Sequence, residues 1–476
     1  MKKTILATWL LAAMTLSAQA QVIDDDIPDP LDGPGSVLYP TAIKFRIYLK
    51  DKQGTRFDLK HPEKFLSQRS LERRKRQGIE VDETDLPVSQ VYLDQLTAAG
   101  VKVLETSKWN NTVVVQTLDG DIIENIKKMD FVTGVRKVAI YYSESPEVSS
   151  REKRLKLLDD AESTRSANLY GQAEVQINQL NGHALHDQGF KGDGIVVAVT
   201  DAGFFNVDII PVMQTVKILG TKDFVDPDSP RLFGASTHGL NVLSCMGANS
   251  PFVQIGTAPE ASYWLLRSED EHSEQPVEED NWVAAVEFAD SVGADVVNSS
   301  LGYHDYDDDN DDFPYTELDG KTHINSITAS MMASKGMILC NSAGNEGDGT
   351  WKKIGTPADA SDILAVGAVD SLGVNTDFSS IGYSADGRVK PDVMAMGAYS
   401  RVVYPSGKVF YSFGTSFSSP IMAGMGASLW SALPHLNAYQ IMDIVRRSGN
   451  NAEHPDCVFG YGIPDFGKAL ELGRQM

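Results

Sequence analysis

Cysteine is scarce in this sequence: Cys245, Cys340 and Cys457 are the only three in 476 residues. Three cysteines cannot form a disulfide framework, because at least one of them stays unpaired. None stands at metal-ligand spacing from a histidine, which gives a zinc site little support. Cys245 and Cys340 fall in apolar segments, and we expect both to be small buried core residues.

Positive charge is also in short supply. Lysine and arginine number 42 against 65 aspartate and glutamate, which gives a net charge of −23. Nucleic acids and anionic membranes bind basic patches, so neither is an expected partner. Long apolar runs are missing as well, since no stretch after the N-terminus approaches the length of a transmembrane helix.

The N-terminus does carry one short apolar run. Lys2 and Lys3 precede Ile5–Leu16, and Ala18–Ala20 follows as a small-residue cleavage site. This is the pattern of a secretory signal peptide, residues 1–20, and the run is too short to span a bilayer. We therefore expect an exported protein, placed in the periplasm or outside the cell.

Composition and periodicity divide the rest of the chain into four segments. Residues 21–38 form an acidic linker rich in proline and glycine, and residues 145–172 form a charged, exposed connector of the kind that proteases nick. Between them, residues 39–144 mix two periodicities and predict a small α+β domain. Its predicted strands are Ala42–Leu49, Thr112–Thr117 and Val132–Ala139, and its predicted helices are Ser67–Gln77, Ser89–Ala99 and Asp121–Met129.

Residues 173–476 alternate apolar, β-branched runs with helical patterns. This order predicts a mostly parallel sheet covered by helices on both faces. The predicted strands are Ile195–Thr200, Ser262–Leu266, Asp295–Ser299, Met337–Asn341 and Ile363–Val369, and the predicted helices are His238–Asn249, Asn281–Val292, Ile324–Ser334 and Phe466–Leu472.

The segment Gly414–Pro420 carries a candidate nucleophile. It lies between a predicted strand, Val409–Phe413, and an apolar helix, Ser416–Leu429. Ser416 therefore has its hydroxyl at the positive end of a helix dipole, beside backbone N–H groups that lack helical partners. Both features favour a nucleophile and the anion that forms when it attacks.

Three further polar residues stand at a strand end or a helix start. Asp201 ends a strand and could orient a histidine, and His238 could take a proton from Ser416. Asn345 follows another strand and could donate to an oxyanion. Each has a commoner explanation when taken alone: a turn aspartate, a histidine at a helix start and an asparagine turn.

Taken together, the order Asp201, His238, Asn345, Ser416, with the strand Asp295–Gly302, resembles the subtilisin-like serine proteases, the subtilase family, over residues 173–475. The resemblance implies a subtilisin-like three-layer α/β fold with a mostly parallel central sheet. It implies a serine endopeptidase that acts on peptides or proteins through a Ser416 acyl-enzyme. The implied catalytic residues are Asp201, His238 and Ser416, the oxyanion donors are Asn345 and the Ser416 N–H, and the implied substrate-binding residues are Ser300, Leu301, Gly302, Ser342, Ala343 and Gly344.

The sequence departs from the family pattern at Ala202, where the family has Ser or Thr, and at Leu240 and Asn241, where it has Thr-His. Neither departure touches the proton transfer. The unit 39–144 resembles a subtilase propeptide in position, size and α+β pattern. The resemblance implies a zymogen whose own propeptide blocks the cleft until a cut between residues 140 and 172.

Clustered charges leave three questions open. Two expected acidic loops flank the proposed cleft, Glu269–Asp280 and Asp305–Asp312, and Glu346 lies beside its pocket. These carboxylates either select basic substrates or form a solvated acidic surface. No required cofactor and no metal in the active site are expected. Calcium at Asp305–Asp312 is left open, because clustered carboxylates favour calcium but the run lacks EF-hand spacing. The basic run Arg69–Arg76 either docks on the acidic enzyme or is a solvated helix face.

Two other function classes compete with a secreted protease. One is a catalytically inactive peptide-binding protein on the same scaffold, which the presence of Asp201, His238, Asn345 and Ser416 disfavours. The other is the acid-acting relative with a Ser-Glu-Asp triad, which shares the Gly-Thr-Ser motif. His238 and Asn345 discriminate against that second class.

Overall fold

The computed structural model describes residues 40–142, Arg154, 165–228 and 230–476. The predicted signal peptide (1–20), the acidic linker (21–38) and most of the connector (145–172) lie outside these residues. Across the described ranges, no helix is both long and apolar enough to cross a bilayer.

The N-terminal domain is a four-stranded antiparallel sheet with order β2-β3-β1-β4, packed against helices. Its strands are β1 (Ala42–Leu49), β2 (Lys102–Ser107), β3 (Thr112–Gln116) and β4 (Val132–Tyr141), and its helices are α1 (Gln68–Gln77), α2 (Gln90–Ala98) and α3 (Gly120–Ile126). Local chemistry sets the ends of α1: the Ser67 side chain accepts from the Ser70 N–H, and Gly78 ends the helix in the left-handed conformation. The predicted α+β pattern is confirmed, although the sequence analysis missed β2.

Residues 173–476 contain a sheet of seven parallel strands, in the order β13-β12-β11-β10-β5-β9-β6. These strands are β5 (Val196–Asp201), β6 (Lys217–Asp223), β9 (Ser262–Arg267), β10 (Val296–Ser299), β11 (Ile338–Ser342), β12 (Leu364–Val369) and β13 (Val393–Met396). Two short pairs lie outside this sheet: β7 (Asn249–Ser250) with β8 (Gln254–Ile255), and β14 (Ser400–Val403) with β15 (Val409–Ser412). The predicted strand at 409–413 therefore exists, but it belongs to a hairpin.

Helices cover both faces of this sheet. In chain order they are α4 (Glu174–Gln179), α5 (His183–His186), α6 (His238–Gly247), α7 (Val277–Val292), α8 (Ile324–Met332), α9 (Thr415–Ala432), α10 (Ala438–Ser448) and α11 (Phe466–Arg474). Alternate residues of β5 separate the two cores: Val197 and Val199 pack with α6 and α9, whereas Val196 and Ala198 pack with α7 and α8. The expected three-layer α/β fold is confirmed.

The cysteines fit this core as expected. Cys245 on α6 and Cys340 on β11 are 0% exposed, and all three cysteines are free thiols. Burial raises the pKa of both buried thiols, so they stay protonated and act as small apolar side chains.

The N-terminal domain docks on α7 through buried charges. Arg46, which is 1% exposed, donates to Asp280 at 2.6 and 2.7 Å and to Glu279 at 3.1 Å. At the other end of α7, Asp290 accepts hydrogen bonds from three cations of the N-terminal domain. The donors are Arg73 at 2.5 Å, Arg74 at 2.8 Å and Lys108 at 2.7 Å.

These contacts answer the question about the run Arg69–Arg76. Arg73 and Arg74 are at most 2% exposed, and Arg69 and Arg76 both pair with Asp295, which precedes β10. The run is therefore a docking surface, because a solvated helix face would leave these guanidinium groups in water.

The expectation of an acidic loop at Glu269–Asp280 is wrong for its C-terminal part. Helix α7 begins at Val277, and Glu278, Glu279 and Asp280 in its first turn are at most 4% exposed. Carboxylates favour the positive end of a helix dipole. Glu279 and Asp280 also face Arg46, so they bind the N-terminal domain and do not line a substrate cleft.

We predict that Asp290→Asn strongly destabilises the full chain with its N-terminal domain docked. The substitution leaves three buried cations without their shared carboxylate, and breaking a buried ion pair costs about 3–5 kcal/mol. Equilibrium unfolding of the full chain in a Ser416→Ala background, which removes the candidate nucleophile and keeps the chain intact, measures this loss.

Asp443→Asn is the matched control, because the Asp443 side chain is 53% exposed in its pair with Arg447 and should contribute less than about 1 kcal/mol. Burial raises the pKa of Asp290, but Lys108, Arg74 and Arg73 lower it more, and the net pKa is lowered. The stabilisation is thus present above about pH 3.9 and is lost as the pH falls through the lowered pKa. Equal losses in both variants would contradict the docking role.

Candidate active site

Asp201 and His238 form a hydrogen-bonded pair at the carboxyl edge of the sheet. Asp201 is the last residue of β5 and is 0% exposed, and His238 is the first residue of α6. His238 Nδ1 lies 2.9 Å from Asp201 Oδ1 and 3.0 Å from Oδ2. A second bond fixes the carboxylate, since the Ala202 N–H donates to Oδ1 at 2.8 Å.

The glycine after His238 permits this close approach. A Cβ atom on Gly239 would lie 2.3 Å from the Gly203 carbonyl oxygen and 3.0 Å from the Asp201 side chain. Any larger residue would push α6 away from β5 and lengthen the Asp201–His238 bond. The His-Gly sequence is therefore a packing requirement of the pair.

The electrostatics of His238 favour its protonated form. Burial lowers the pKa of the imidazole, but the charge of Asp201 and its hydrogen bond raise it more, and the net pKa is raised above 6.5. The side chain is still 33% exposed, so the ring can reach a ligand. With Nδ1 donating to Asp201, Nε2 is the nitrogen that can accept a proton.

Ser416 lies in the first turn of α9, where the sequence places it. Helix α9 begins at Thr415, and Ser416 itself is only 9% exposed. Its Oγ donates to the Ser300 carbonyl oxygen at 3.3 Å, and the Ser300 hydroxyl donates back to the Ser416 carbonyl oxygen at 2.8 Å. The hydroxyl proton thus faces the segment after β10, and among the described residues Ser416 Oγ bonds to Ser300 rather than to His238.

Asn345 is oriented by Thr415. Its Oδ1 accepts from the Thr415 N–H at 2.8 Å and from the Thr415 hydroxyl at 3.0 Å. The same hydroxyl accepts from the Gly344 N–H at 3.2 Å. Because both bonds occupy Oδ1, the amide presents Nδ2 as its free donor end. Sequence reasoning missed this role of Thr415, although the Gly-Thr-Ser motif contains it.

A cavity of about 410 Å³ adjoins Ser416 and Asn345. Of the six residues expected to bind substrate, it is lined by Ser300, Leu301, Gly302, Ser342 and Gly344. The sixth, Ala343, is 1% exposed and packs in the hydrophobic core instead. The lining also includes Glu274, His304, Asp305, Asp307 and Glu346, and sequence reasoning did not assign His304 to the site.

Three carboxyl groups beside the cavity lie close enough together to hold a cation. Single oxygens of Glu269, Glu274 and Glu278 are within 4.8 Å of one another. Burial raises the pKa of all three. The charge of Glu274 raises those of Glu269 and Glu278 further, and the charges of Asp305 and Asp307 raise that of Glu274, to about 7. In the Asp305–Asp312 run, Asp311 pairs with Arg136 of the N-terminal domain. Calcium binding by this run stays an open question.

Two family models match the chain. The Peptidase S8 propeptide domain of Bacteroidota matches residues 44–154, and the Subtilase family matches residues 192–462. The chain is 28% identical over 372 residues to subtilisin NAT of Bacillus subtilis subsp. natto, over 78% of this chain and 82% of that protein. It is 30% identical over 270 residues to subtilisin DY of Bacillus licheniformis, over 56% of this chain and 86% of that protein.

Among solved structures, the protease domain of PatA, in a mutant form, is similar with a TM-score of 0.48 and 22% identity. The similarity covers 60% of this chain and 98% of that chain.

We predict that His238 titrates above about pH 6.5 in the Ser416→Ala chain and below it in an added Asp201→Asn variant. The substitution removes the charge that raises the pKa and leaves the burial that lowers it. Histidine-selective NMR titration measures both values. His186, whose pKa burial lowers to about 4, is an internal control that should not move; a His238 pKa unchanged by Asp201→Asn would contradict the coupling.

Proposed function

This chain belongs to the subtilase family, and from that premise we propose that it is a serine endopeptidase that cuts peptide bonds through a Ser416 acyl-enzyme. The observation that supports this proposal most is the Asp201–His238 bond of 2.9 Å. It fixes the imidazole with Nε2 free at the sheet edge that also holds Ser416 and Asn345. The buried carboxylate of Asp201 would also stabilise the imidazolium that forms during proton transfer.

In the proposed mechanism, His238 Nε2 takes the Ser416 hydroxyl proton as Oγ attacks the scissile carbonyl carbon. Asp201 keeps the ring in the required tautomer and stabilises the imidazolium that forms. His238 then gives the proton to the leaving amine, the C–N bond breaks, and an acyl-enzyme remains. Water, activated by the same imidazole, hydrolyses the ester and releases Ser416.

The negative charge that develops on the carbonyl oxygen needs donors that are in place beforehand. Asn345 Nδ2 supplies one, since Thr415 occupies the other end of the amide. The Ser416 N–H supplies a second, because N–H groups in the first turn of a helix have no helical partner. Such donors stabilise the transition state more than the substrate, because the oxyanion exists only there.

Substrate binds as an extended strand beside Ser299–Gly302, the continuation of β10. Main-chain hydrogen bonds of this kind accept many sequences, and pockets for single side chains give selectivity. The cavity lined by Ser300, Leu301 and Gly302 opens beside Ser416. It receives the side chain that precedes the cut bond.

The protein is proposed to be an exported zymogen. The propeptide match at residues 44–154 and the docking of this domain on α7 support an intramolecular inhibitor. A signal peptide at residues 1–20 would send the precursor across the inner membrane, to the periplasm or beyond. Removal of the propeptide frees the cleft, which makes activity depend on that cut.

We predict that a fluorophosphonate probe labels the processed wild-type protein and that Ser416→Ala abolishes labelling. The probe reacts only with an activated serine, so His238→Ala should also lose it. Mass spectrometry of the labelled peptide locates the adduct. Labelling that persists in Ser416→Ala would overturn the assignment, and absence of labelling in the processed wild type would favour a peptide-binding protein without catalysis.

We predict that Asn345→Ala lowers kcat about 100- to 1000-fold with little change in KM, as loss of the corresponding donor does in subtilisin. Thr415→Val, which keeps the backbone N–H but deletes the hydroxyl, should lower kcat less. Thr415→Ser is its matched control and should retain activity, because it preserves the bond to Oδ1. Steady-state kinetics on a fluorogenic peptide separates the two constants, and a change confined to KM would contradict an oxyanion role.

A further inference from the structure

The cavity beside Ser416 is lined by negative charge. Glu274, Asp305, Asp307 and Glu346 contribute carboxylates, and none of the described residues that line it is lysine or arginine. His304 is the remaining titratable nitrogen base there, and its Nδ1 lies 2.8 Å from Asp305 Oδ1. Four acidic side chains around one concave site attract a cationic ligand.

Glu346 is held in position before any ligand arrives. Its Oε2 accepts a hydrogen bond from the Ser380 hydroxyl at 2.8 Å, and its backbone N–H donates to Ser380 Oγ at 3.1 Å. Gly344 has φ +113°, and a Cβ atom there would lie 2.5 Å from Glu346 Oε2. The cavity wall is therefore glycine where the Glu346 carboxylate approaches it. A carboxylate that is already held in position can bind a cation without reorganisation.

The opposite side of the cavity is tied together by main-chain bonds. The Glu274 N–H donates to Asp307 Oδ2 at 3.0 Å, and the Asp307 N–H donates to the Glu274 carbonyl oxygen at 2.8 Å. Burial and the charges of Asp305 and Asp307 raise the pKa of Glu274 to about 7. Asp305 and Asp307 crowd Glu274 with like charge, and a cationic side chain would offset this repulsion, whereas an apolar side chain would not.

The chain itself supplies candidate cations. Between the two domains, the connector 145–172 carries five basic residues: Arg151, Lys153, Arg154, Lys156 and Arg165. Arg154 donates to Asn206 Oδ1 at 2.9 Å and pairs with Asp208, both on the loop that follows Asp201. Within the connector, the Ser166 N–H donates to the Phe252 carbonyl oxygen at 2.7 Å.

We propose that this cavity selects a lysine or arginine side chain on the acyl side of the cut bond, and that the basic residues of the connector are candidates for this side chain. The inference rests on the proposed peptidase activity and names its substrate class. The step is hydrolysis: the C–N bond after the basic residue breaks, water supplies the oxygen of the new carboxylate, and the leaving amine takes a proton.

The test compares peptides that differ only at the residue before the cut, with lysine in one and norleucine, its uncharged analogue, in the other. The processed enzyme should cut the lysine peptide with a kcat/KM at least about tenfold higher, the scale of one good pocket contact. Glu346→Gln and Asp307→Asn should each reduce this ratio. Asp309→Asn is the matched control, since Asp309 is exposed on the same loop and does not line the cavity.

Autoprocessing gives a second readout from the full-length chain. N-terminal sequencing of the mature protein should begin after one of the five basic residues, at Glu152, Arg154, Leu155, Leu157 or Ser166. A mature N-terminus that follows a non-basic residue, together with equal cutting of lysine and norleucine peptides, overturns the inference.

Fluorophosphonate labelling of the same samples separates the peptidase activity from its selectivity for basic side chains. Labelling at Ser416 without a lysine preference leaves the peptidase standing and refutes the selectivity. Loss of labelling in the processed wild type refutes the peptidase and the selectivity with it. A lower ratio of lysine to norleucine kcat/KM in Glu346→Gln, with an unchanged ratio in Asp309→Asn, supports the acidic cavity as the cause of the preference.

Discussion

Seven strands that run in the same direction are the constraint on which the rest of this molecule depends. Parallel strands place all their carboxyl ends at one edge of the sheet, and ligands bind beyond that edge. Asp201 ends β5, the segment Ser300–Gly302 follows β10, and Asn345 follows β11. Helix α9 begins at the same edge, so Ser416 contacts Ser300 across 116 residues of sequence. The candidate active site lies at this edge because the segments after β5, β10 and β11 and the start of α9 meet there.

Negative charge is the second organising feature, and the molecule uses it in two ways. On α7, buried carboxylates are neutralised by cations of the N-terminal domain, with Arg46 at one end and Asp290 binding three cations at the other. Among the residues that the structure describes, the carboxylates at the cavity beside Ser416 have no such partners from that domain. The N-terminal domain therefore neutralises the charge of α7 and leaves that of the cavity in place.

The sequence predicted the main elements where one force acted alone. Helical periodicity located α1, and apolar, β-branched runs located the buried strands β5, β10 and β12. It missed β6, whose alternating exposure makes it an edge strand, and β13, a short strand of methionine, valine and alanine. It also treated Glu278–Asp280 as a loop, because acidic residues resemble solvated surface until a buried arginine is known to face them.

By itself, the sequence determined the identity and order of Asp201, His238, Asn345 and Ser416, because side-chain type and local strand or helix ends are written in neighbouring residues. Only the tertiary structure decided which groups meet. It turned the Ser416 hydroxyl toward Ser300, occupied Asn345 Oδ1 with Thr415, and moved Ala343 into the core. These outcomes depend on distances between segments far apart in the chain, and such distances are set by packing of the whole sheet and its helices.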